Sequence, residues 1–256
     1  MDSHKIISII TVTYNCVNIV ESTIKSILEQ NNELLEYIII DGQSNDGTVD
    51  VINQYNNQID YFISEPDKGI YDAMNKGLKV ATGEYVLFIN AGDLLYNTST
   101  IANLMEIINE QAPDVLYGET LLIDGDGNEL GTRSNNSSRK LPEQLNWKSL
   151  SRGMVVSHQS FLVKRTLAPN YDLQYSSSAD VDWVIKCLKQ AQKVVNAHQI
   201  ISRYLTGGYS KQTLRTSLGE RFKIFTTHYG LIPNLTNHLI ITLRAIWYKF
   251  NRKELN

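Results

Sequence analysis

Apolar residues in the first half of the chain follow two alternating spacings. The runs IISIITVT at 6–13 and YIII at 37–40 are mostly β-branched and predict buried strands, and each stops abruptly at polar residues. Between them, apolar residues recur at helical spacing at Ile19, Ile24, Ile27 and Leu28. Strands that alternate with helices in this way predict an α/β fold with a parallel sheet.

Acidic and amide side chains follow the predicted strands at the point where each strand ends. Asp41 follows the second strand, and a later apolar strand ends at Asn90, Gly92 and Asp93. Ligands of open α/β sheets bind at the carboxyl ends of the strands, so these side chains are placed to contact a ligand. The alternative is that each acid only caps the helix that follows it.

Six short blocks, taken together and in this order, resemble the family 2 glycosyltransferases, which have the nucleotide-binding GT-A fold. They are VTYN at 12–15, DGQSNDGT at 41–48, the run from Glu65 to Asp93, SHQ at 157–159, ADVDW at 179–183 and GGYS at 207–210. Their joint occurrence is far more specific than any one block. The chain is most similar to bacterial surface-polysaccharide transferases of the colanic-acid type. The resemblance implies a Rossmann-like, mostly parallel central sheet flanked by helices.

The resemblance and the charge pattern together predict the domain organisation. We expect a GT-A catalytic domain at 1–210, with a nucleotide-binding half at 1–93 and an acceptor half at 94–210. A basic, amphipathic helical extension follows at 211–256. Residues 203–256 carry a net charge of +7 and residues 1–202 one of −10.

The predicted extension contains two helical patterns. The first runs from 210 to 229, and its apolar face is expected to pack on the protein: Leu214, Leu218, Phe222, Phe225 and Tyr229. The second combines an apolar stripe with cations: Leu235, Leu239, Ile240, Leu243, Ile246, Trp247 and Phe250 with Arg244, Lys249, Arg252 and Lys253. Such a helix either packs on its own domain or another subunit, or lies in a lipid headgroup layer. Its apolar stretch is too short to span a bilayer, and a lipid-carried acceptor favours peripheral membrane contact.

The donor-binding residues follow from the resemblance. Thr13, Tyr14, Asn15 and Asp41 are expected to contact the nucleobase and ribose of a nucleotide-sugar, with Asp46 near the same pocket. Asp46 is equally well explained as the N-cap of the next helix. Lys68 is expected to assist the diphosphate, although a solvated surface charge is the alternative for a lone lysine in a turn.

A divalent metal is the implied cofactor. Asp93 matches the last position of the family's acidic metal motif, where Mn²⁺ or Mg²⁺ bridges carboxylate and phosphate oxygens. Asn90 and Gly92 stand where family members usually carry acids. An amide oxygen is an acceptable ligand for a hard cation, so we expect Asp93 and Asn90 to bind metal together with the nucleotide and only weakly without it.

The candidate base lies in the block ADVDW. A helical pattern begins at Val181, which places Asp180 at a helix N-terminus, where the helix dipole stabilises a carboxylate that takes a proton from a sugar hydroxyl. The family's catalytic acid pair falls on Ala179 and Asp180, with alanine in place of the commoner glutamate. Asp182 is the second choice, and helix capping is the structural alternative. Because one base assists the acceptor hydroxyl and no carboxylate acts as a nucleophile, we expect inversion at the anomeric carbon.

The acceptor side is expected to include His158 and Gln159, which border the acceptor in the family, together with Asp182 and Trp183. His158 is equally compatible with a satisfied buried histidine or a loop residue. Gly207 and Gly208 suit a loop that closes over the donor, or a plain turn.

These residues predict an inverting, non-processive hexosyltransferase. It would move a sugar from a nucleotide-diphosphate-sugar to a hydroxyl of a glycan or lipid-linked acceptor in surface polysaccharide biosynthesis. A nucleotidyltransferase that makes sugar nucleotides is one alternative, but VTYNCVN is not the glycine-rich, arginine-bearing loop expected after its first strand. A catalytically inactive sugar-binding or nucleotide-binding protein is another, because acids are missing at 90 and 92. A processive synthase is disfavoured because the Gln-x-x-Arg-Trp block and transmembrane helices are absent from the sequence.

The remaining composition bears on location. Cys16 and Cys187 have no metal-like spacing, which favours a reducing cytoplasm over a zinc site or a disulfide framework. The start MDSHKIISII lacks a basic segment followed by a long apolar core, so no signal peptide is expected. We therefore expect a cytoplasmic protein, at the inner face of the plasma membrane if the tail helix binds lipid, and no nucleic-acid partner.

Overall fold

The computed structural model describes residues 5–30, 32–207 and 214–251. Within those ranges, nine strands form one sheet: β1 (Ile7–Thr13), β2 (Leu35–Asp41), β3 (Tyr61–Ser64), β4 (Tyr85–Phe88), β5 (Leu94–Leu95), β6 (Val115–Ile123), β7 (Glu129–Thr132), β8 (Phe161–Lys164) and β9 (Val194–Leu205). The helices are α1 (Val20–Leu28), α2 (Thr48–Asn53), α3 (Ile70–Val80), α4 (Thr100–Gln111), α5 (Ala179–Gln190), α6 (Leu214–Tyr229) and α7 (Leu231–Asn251). Single 3₁₀ turns lie at 56–58, 147–150, 158–160 and 165–167.

The sheet has a parallel half and a mixed half. Its order is β3-β2-β1-β4-β8-β6-β9-β5, with β7 paired to β6. The first four strands are parallel, in a register that aligns Thr13 with Asp41 and Asp41 with Ser64. β8 is antiparallel to β4 and β6, β9 is parallel to β6, and β5 is antiparallel to β9. The predicted α/β fold is confirmed, and the parallel half brings the polar strand ends to one edge.

Both faces of the parallel half are covered. Along β1, Ile7 and Ile9 belong to one buried cluster, while Ile10 and Val12 belong to the other. Successive side chains of a strand point to opposite faces, so a strand with two buried faces is apolar throughout. This explains why the first strand is mostly apolar on both faces rather than alternating, with Ser8 and Thr11 as buried polar residues within it.

The start of α2 differs from the prediction. The N-cap is Gly47, with φ +99°, and not Asp46. Asp46 lies one residue earlier and accepts a hydrogen bond from the Thr48 backbone N–H at 3.0 Å. The prediction was wrong by one position because a left-handed residue, which glycine adopts without strain, separates the acid from the helix.

The two C-terminal helices pack on each other, and the first of them, α6, also packs on α5. Ser217 of α6 is hydrogen-bonded to Ser178, and Ile224 and Phe225 are buried. The predicted packing face of α6 was wrong in one respect, because Leu218 is 59% exposed. Ile224, which lies outside the predicted stripe, is fully buried in its place.

An exposed apolar stripe lies along the described part of α7. Its members are Leu231, Ile232, Leu235, Leu239 and Ile240, with exposed fractions of 53%, 76%, 52%, 63% and 39%. The opposite side of the helix is held to α6 by Asn234, whose amide donates to the Phe222 carbonyl at 2.9 Å and to the Thr226 hydroxyl at 2.8 Å. Across the described ranges, no helix is long and apolar enough to cross a membrane.

Candidate active site

Asp41 connects the ends of the first three strands. It is fully buried and accepts hydrogen bonds from the Thr13 hydroxyl at 2.8 Å and the Ser64 hydroxyl at 2.7 Å. The Ser44 backbone N–H and hydroxyl donate to it at 2.8 and 2.6 Å. Four donors satisfy this buried carboxylate, so Asp41 holds the ends of the first three strands and the segment at Ser44 together. Its direct contact with a nucleotide stays a prediction.

Tyr14 and Asn15 directly follow β1. The Tyr14 side chain is 67% exposed, and Asn15 has φ +46°, with its amide oxygen held by the Asn45 backbone N–H at 3.0 Å. A Cβ on Gly42 would stand 2.4 Å from the Asp67 carboxylate and 3.3 Å from the Tyr14 ring. An added side chain would displace the Asp67 carboxylate and crowd the Tyr14 ring, and that exposed ring presents a face on which a base can stack.

Asp46 is already hydrogen-bonded within the protein, whereas the Lys68 ammonium group is not paired within the described part of the chain. The Thr48 hydroxyl donates to Asp46 at 2.5 Å and lowers the pKa of that carboxyl, and the Val17 backbone N–H adds a bond at 3.1 Å. Lys68 is exposed, and its ammonium group has no ion-pair partner among the residues the structure describes. Lys68 is therefore free to meet an anionic ligand.

Asp93 is a buried carboxyl without a cationic partner in the described part of the chain. It is 5% exposed and accepts hydrogen bonds from the Gln159 amide at 2.8 Å and the Leu205 backbone N–H at 3.2 Å. Burial raises the pKa of Asp93 from its ordinary value of 3.8 to about 7, and the two hydrogen bonds offset only part of that effect. A bound cation would relieve the cost of ionising this group.

The residues before Asp93 fit a hard divalent cation with few protein ligands. The Asn90 side-chain oxygen is buried and has no hydrogen-bond partner among the described residues. An amide oxygen and a carboxylate are ligands that Mn²⁺ and Mg²⁺ accept, and carboxylate oxygens have lone pairs to spare. No group of three or more His, Cys, Asp or Glu residues gathers into a metal site over 5–30, 32–207 and 214–251. Phosphate oxygens and water would therefore have to complete the coordination.

Gly92 has a conformational reason to replace the family's acid. It has φ +94°, and an added Cβ would stand 3.0 Å from Leu205 and 3.1 Å from Ile19. Any other side chain would be strained there and would crowd two apolar neighbours.

Asp180 lies in the first turn of α5 and is half-buried. The Tyr71 hydroxyl donates to its Oδ1 at 3.0 Å, and its Oδ2 accepts no hydrogen bond from any residue in the described ranges. Tyr71 is in the first turn of α3, directly after the loop that holds Asp67 and Lys68. Sequence reasoning missed Tyr71, because a single tyrosine on a helix carries no signal of a partner 109 residues away.

His158 and Trp183 belong to an aromatic cluster behind Asp180. His158 is 6% exposed, stacks on Phe88 at 5.0 Å and is hydrogen-bonded to the Tyr171 hydroxyl at 2.6 Å. Burial lowers the pKa of His158 to about 4, so the imidazole is neutral at neutral pH. Trp183 is 1% exposed and donates to the Pro169 carbonyl at 2.7 Å. These contacts support the alternative of a satisfied buried histidine.

Asp182 is turned toward the C-terminal helices. It is 4% exposed and bonds the His228 Nε2 at 2.7 Å and the Lys186 ammonium at 2.6 Å. Burial by itself would raise the pKa of Asp182, but the bonds from His228 and Lys186 outweigh it and hold the pKa below its ordinary value. Asp182 thus fastens α6 to α5, and its predicted acceptor contact is untested.

The blocks far apart in sequence meet along one edge of the sheet. The Ala91 N–H bonds the Val12 carbonyl at 3.4 Å, which places the strand end before Asp93 beside Thr13. Gln159 bonds Asp93, while its neighbour His158 lies close enough to Asp180 for that charge to raise its pKa slightly against burial. These contacts link Asp93 to the end of β1 and, through Gln159, to the 3₁₀ turn next to Asp180; a common cleft for Asp41, Asp93 and Asp180 stays a prediction.

Of the two glycines predicted to form a closing loop, the structure describes Gly207 only. Gly207, just after β9, is exposed and has φ +95°, and no atom lies within 4 Å of a Cβ built on it. Gly208 lies outside the described residues. The predicted closing motion stays a prediction.

A parallel half-sheet continued by a mixed one, with acids at the ends of its strands, agrees with the GT-A fold of glycosyltransferases. The chain belongs to glycosyl transferase family 2, whose sequence profile matches residues 8–168. The expected family is therefore confirmed, and the protein is a glycosyltransferase.

Curated relatives carry glycosyltransferase names. The chain is 29% identical over 252 residues to a PGL/p-HBAD biosynthesis glycosyltransferase of Mycobacterium bovis, covering 94% of this chain and 91% of that protein. It is 25% identical over 201 residues to the Escherichia coli UDP-Glc:alpha-D-GlcNAc-diphosphoundecaprenol beta-1,3-glucosyltransferase WfaP, covering 78% and 77%.

Solved structures share the fold. S. aureus TarS 1-349 in complex with UDP superposes with a TM-score of 0.66 at 18% identity, over 87% of this chain and 64% of that one. The Pyrobaculum calidifontis mannosyltransferase PcManGT, in complex with GDP-Man and Mn²⁺, has a TM-score of 0.63 at 14% identity, over 98% and 80%. At these identities the likeness concerns the fold alone.

Proposed function

We propose that this glycosyltransferase is an inverting, non-processive hexosyltransferase that uses a nucleotide-diphosphate-sugar and a glycan or lipid-linked acceptor in polysaccharide or glycolipid biosynthesis. One observation carries the proposal. Asp180 has an unengaged carboxylate oxygen in the first turn of α5, whereas the oxygens of Asp41 and Asp182 are bonded to protein donors. Asp180 is therefore the acid that is free to take a proton.

The reaction follows from that free oxygen. Asp180 removes the proton from an acceptor hydroxyl, whose oxygen attacks the anomeric carbon of the donor sugar. The bond between that carbon and the phosphate oxygen breaks, and the nucleoside diphosphate leaves with the electron pair. A single displacement inverts the anomeric centre. The Tyr71 hydroxyl fixes the direction of the carboxylate, which positions the base before the acceptor arrives.

The donor pocket is proposed to be the rim around Gly42. The exposed Tyr14 ring suits a nucleobase, and the free ammonium of Lys68 suits the diphosphate. TarS has been solved with UDP and with UDP-GlcNAc, and PcManGT with GDP-Man, which supports a nucleotide-sugar donor without choosing the nucleotide.

Asp93 and Asn90 are proposed to hold a divalent cation. The raised pKa of Asp93 and the unpartnered oxygen of Asn90 support this, as does the Mn²⁺ in the PcManGT complex. The cation would act as a Lewis acid toward the leaving diphosphate. Gln159 orients the Asp93 carboxylate through its 2.8 Å hydrogen bond.

The extension is proposed to bring the enzyme to a lipid surface. Its apolar stripe on α7 is exposed, and residues 203–256 carry a net charge of +7, which complements anionic lipid headgroups. The lipid-linked acceptor in the name of the E. coli relative agrees with such a location. We retain 1–210 as the catalytic domain and 211–256 as the extension.

Substitution of Asp180 by asparagine tests the proposal. We expect the turnover of transfer, or of slow donor hydrolysis when no acceptor is known, to fall at least 100-fold while nucleotide affinity changes less than twofold. Asp182→Asn is the matched control, because it removes the neighbouring acid on the same helix and should leave more activity. An Asp180→Asn enzyme that keeps more than about a tenth of wild-type turnover would rule out this base.

The same assay separates the two rival functions. Product formation that depends on added pyrophosphate would favour a nucleotidyltransferase. A wild-type protein that binds nucleotide but releases none from any nucleotide-sugar, with or without Mn²⁺, would favour an inactive binding protein.

A further inference from the structure

Two arginines that the proposed mechanism does not use each have an unsatisfied donor, and the charge of one acts on the other. Arg133 directly follows β7, and Arg221 is on α6. The Arg133 Nη1 and the Arg221 Nε are both buried, and neither has a hydrogen-bond acceptor anywhere in the described ranges. A buried N–H without an acceptor is destabilising, and two neighbouring cations add repulsion.

The pair is half-buried rather than solvated. Burial lowers the pKa of the Arg133 guanidinium and the nearby charge of Arg221 lowers it further, whereas Glu119 raises it. Glu119 thus offsets part of the charge without a hydrogen bond to either guanidinium, and it is bonded to the Ser134 hydroxyl. A net positive charge with unused donors remains.

The two arginines are connected to the segments that carry His158 and Asp180, which are expected to contact the acceptor. The Arg133 Nη2 donates to the Met154 carbonyl at 2.5 Å, four residues before His158. Glu220, the neighbour of Arg221, accepts hydrogen bonds from the Ser176 and Ser177 backbone at 2.7 and 2.9 Å, in the segment that leads to Asp180. The donor pocket at Gly42 and Lys68 is built instead from the loops after β2 and β3.

We infer that Arg133 and Arg221 form a binding site for a phosphate or diphosphate group carried by the acceptor. This inference rests on the proposed transferase function. Guanidinium groups match phosphate oxygens with paired hydrogen bonds, and an anion would supply the missing acceptors while cancelling the repulsion between the cations. Arg221 belongs to the extension, and Leu218, one turn earlier, is 59% exposed. A lipid diphosphate bound at the arginines would therefore have apolar surface beside it.

Inorganic pyrophosphate is the probe, titrated by calorimetry into protein saturated with UDP or GDP. We expect Arg221→Ala and Arg133→Ala to weaken pyrophosphate binding at least tenfold, which is the effect of losing one charge-assisted hydrogen bond. Arg221→Lys should restore part of the affinity. Arg215→Ala is the matched control, because Arg215 is an exposed cation on the same helix and should be neutral.

Three readouts make the inference refutable. Arg221→Ala should melt at the same temperature as the wild type or higher without ligand, because the removed group had no acceptor, whereas a structural arginine would lower it. UDP and GDP affinity and Asp180-dependent donor hydrolysis should not change. Pyrophosphate binding that is absent in the wild type, or unchanged in Arg221→Ala, would overturn the site. A parallel loss of nucleotide affinity would assign the arginines to the donor. Failure of donor hydrolysis in the wild type would instead refute the transferase function.

Discussion

The buried carboxyl of Asp93 should make the free energy of unfolding depend on pH, and this dependence can be measured. Its pKa is 3.8 ordinarily and about 7 when buried in the folded protein. Between these values the folded protein keeps a proton that the unfolded chain has released, so stability falls as pH rises from 4 to 7 and then levels off. Three pH units at 1.36 kcal/mol each amount to roughly 4 kcal/mol.

Asp93→Asn removes that titration. Near pH 4, where Asp93 is neutral in the fold, we expect the variant to be less stable than the wild type by about 1 kcal/mol, because one hydrogen bond is lost. At pH 8 the variant should be more stable by about 3 kcal/mol, since loss of one hydrogen bond to Gln159 or Leu205 subtracts about 1 kcal/mol. The variant should gain stability but lose metal binding, so nucleotide with Mn²⁺ would no longer stabilise it.

The assay is urea unfolding of both proteins between pH 4 and 9 in the presence of a chelator, with Asp182→Asn as a control acid. Its carboxyl has a lowered pKa, so that variant should be less stable at pH 8, in the opposite direction. Parallel pH profiles for Asp93→Asn and the wild type would refute the reasoning.

Three further outcomes are expected. Asp182→Ala should lower the free energy of unfolding by about 3 kcal/mol in urea titrations, because it leaves His228 and Lys186 without their buried carboxylate partner. Gly92→Asp should lower it by about 2 kcal/mol and should not tighten Mn²⁺ binding, because the backbone at φ +94° is strained for any other residue. Replacement of Leu235 and Leu239 by serine should weaken binding to anionic vesicles at least tenfold, since exposed leucines lose apolar contact with lipid.

Each has its own control. Asp126→Ala, at an exposed turn position, should be nearly neutral beside Asp182→Ala. Gly125→Asp, in an open turn with nothing within 4 Å of its Cβ, should be tolerated where Gly92→Asp is not. The serine variants should keep the wild-type melting temperature, and a change in oligomeric state in place of vesicle binding would show that the stripe contacts another copy of the chain.

Local sequence patterns were enough to predict the parallel half of the fold and the family. Buried strands such as β1 and β2 are apolar because both faces are covered, and that pattern is readable without coordinates. Asp41, Asp93 and Asp180 were predicted as site residues because each follows a strand or begins a helix. The start of α2 was missed by one residue, because the φ of Gly47 depends on the turn and not on residue type alone.

The sequence by itself determined which residues have chemistry to offer, because composition and spacing specify donors, acceptors and charges. Only the tertiary structure decided which of those groups are already occupied. Asp182 has its oxygens bonded by His228 and Lys186, while Asp180, two residues earlier, keeps one unengaged. The physical reason is that hydrogen bonds and burial depend on partners brought from distant parts of the chain, and two acids in one helical turn can point to different partners.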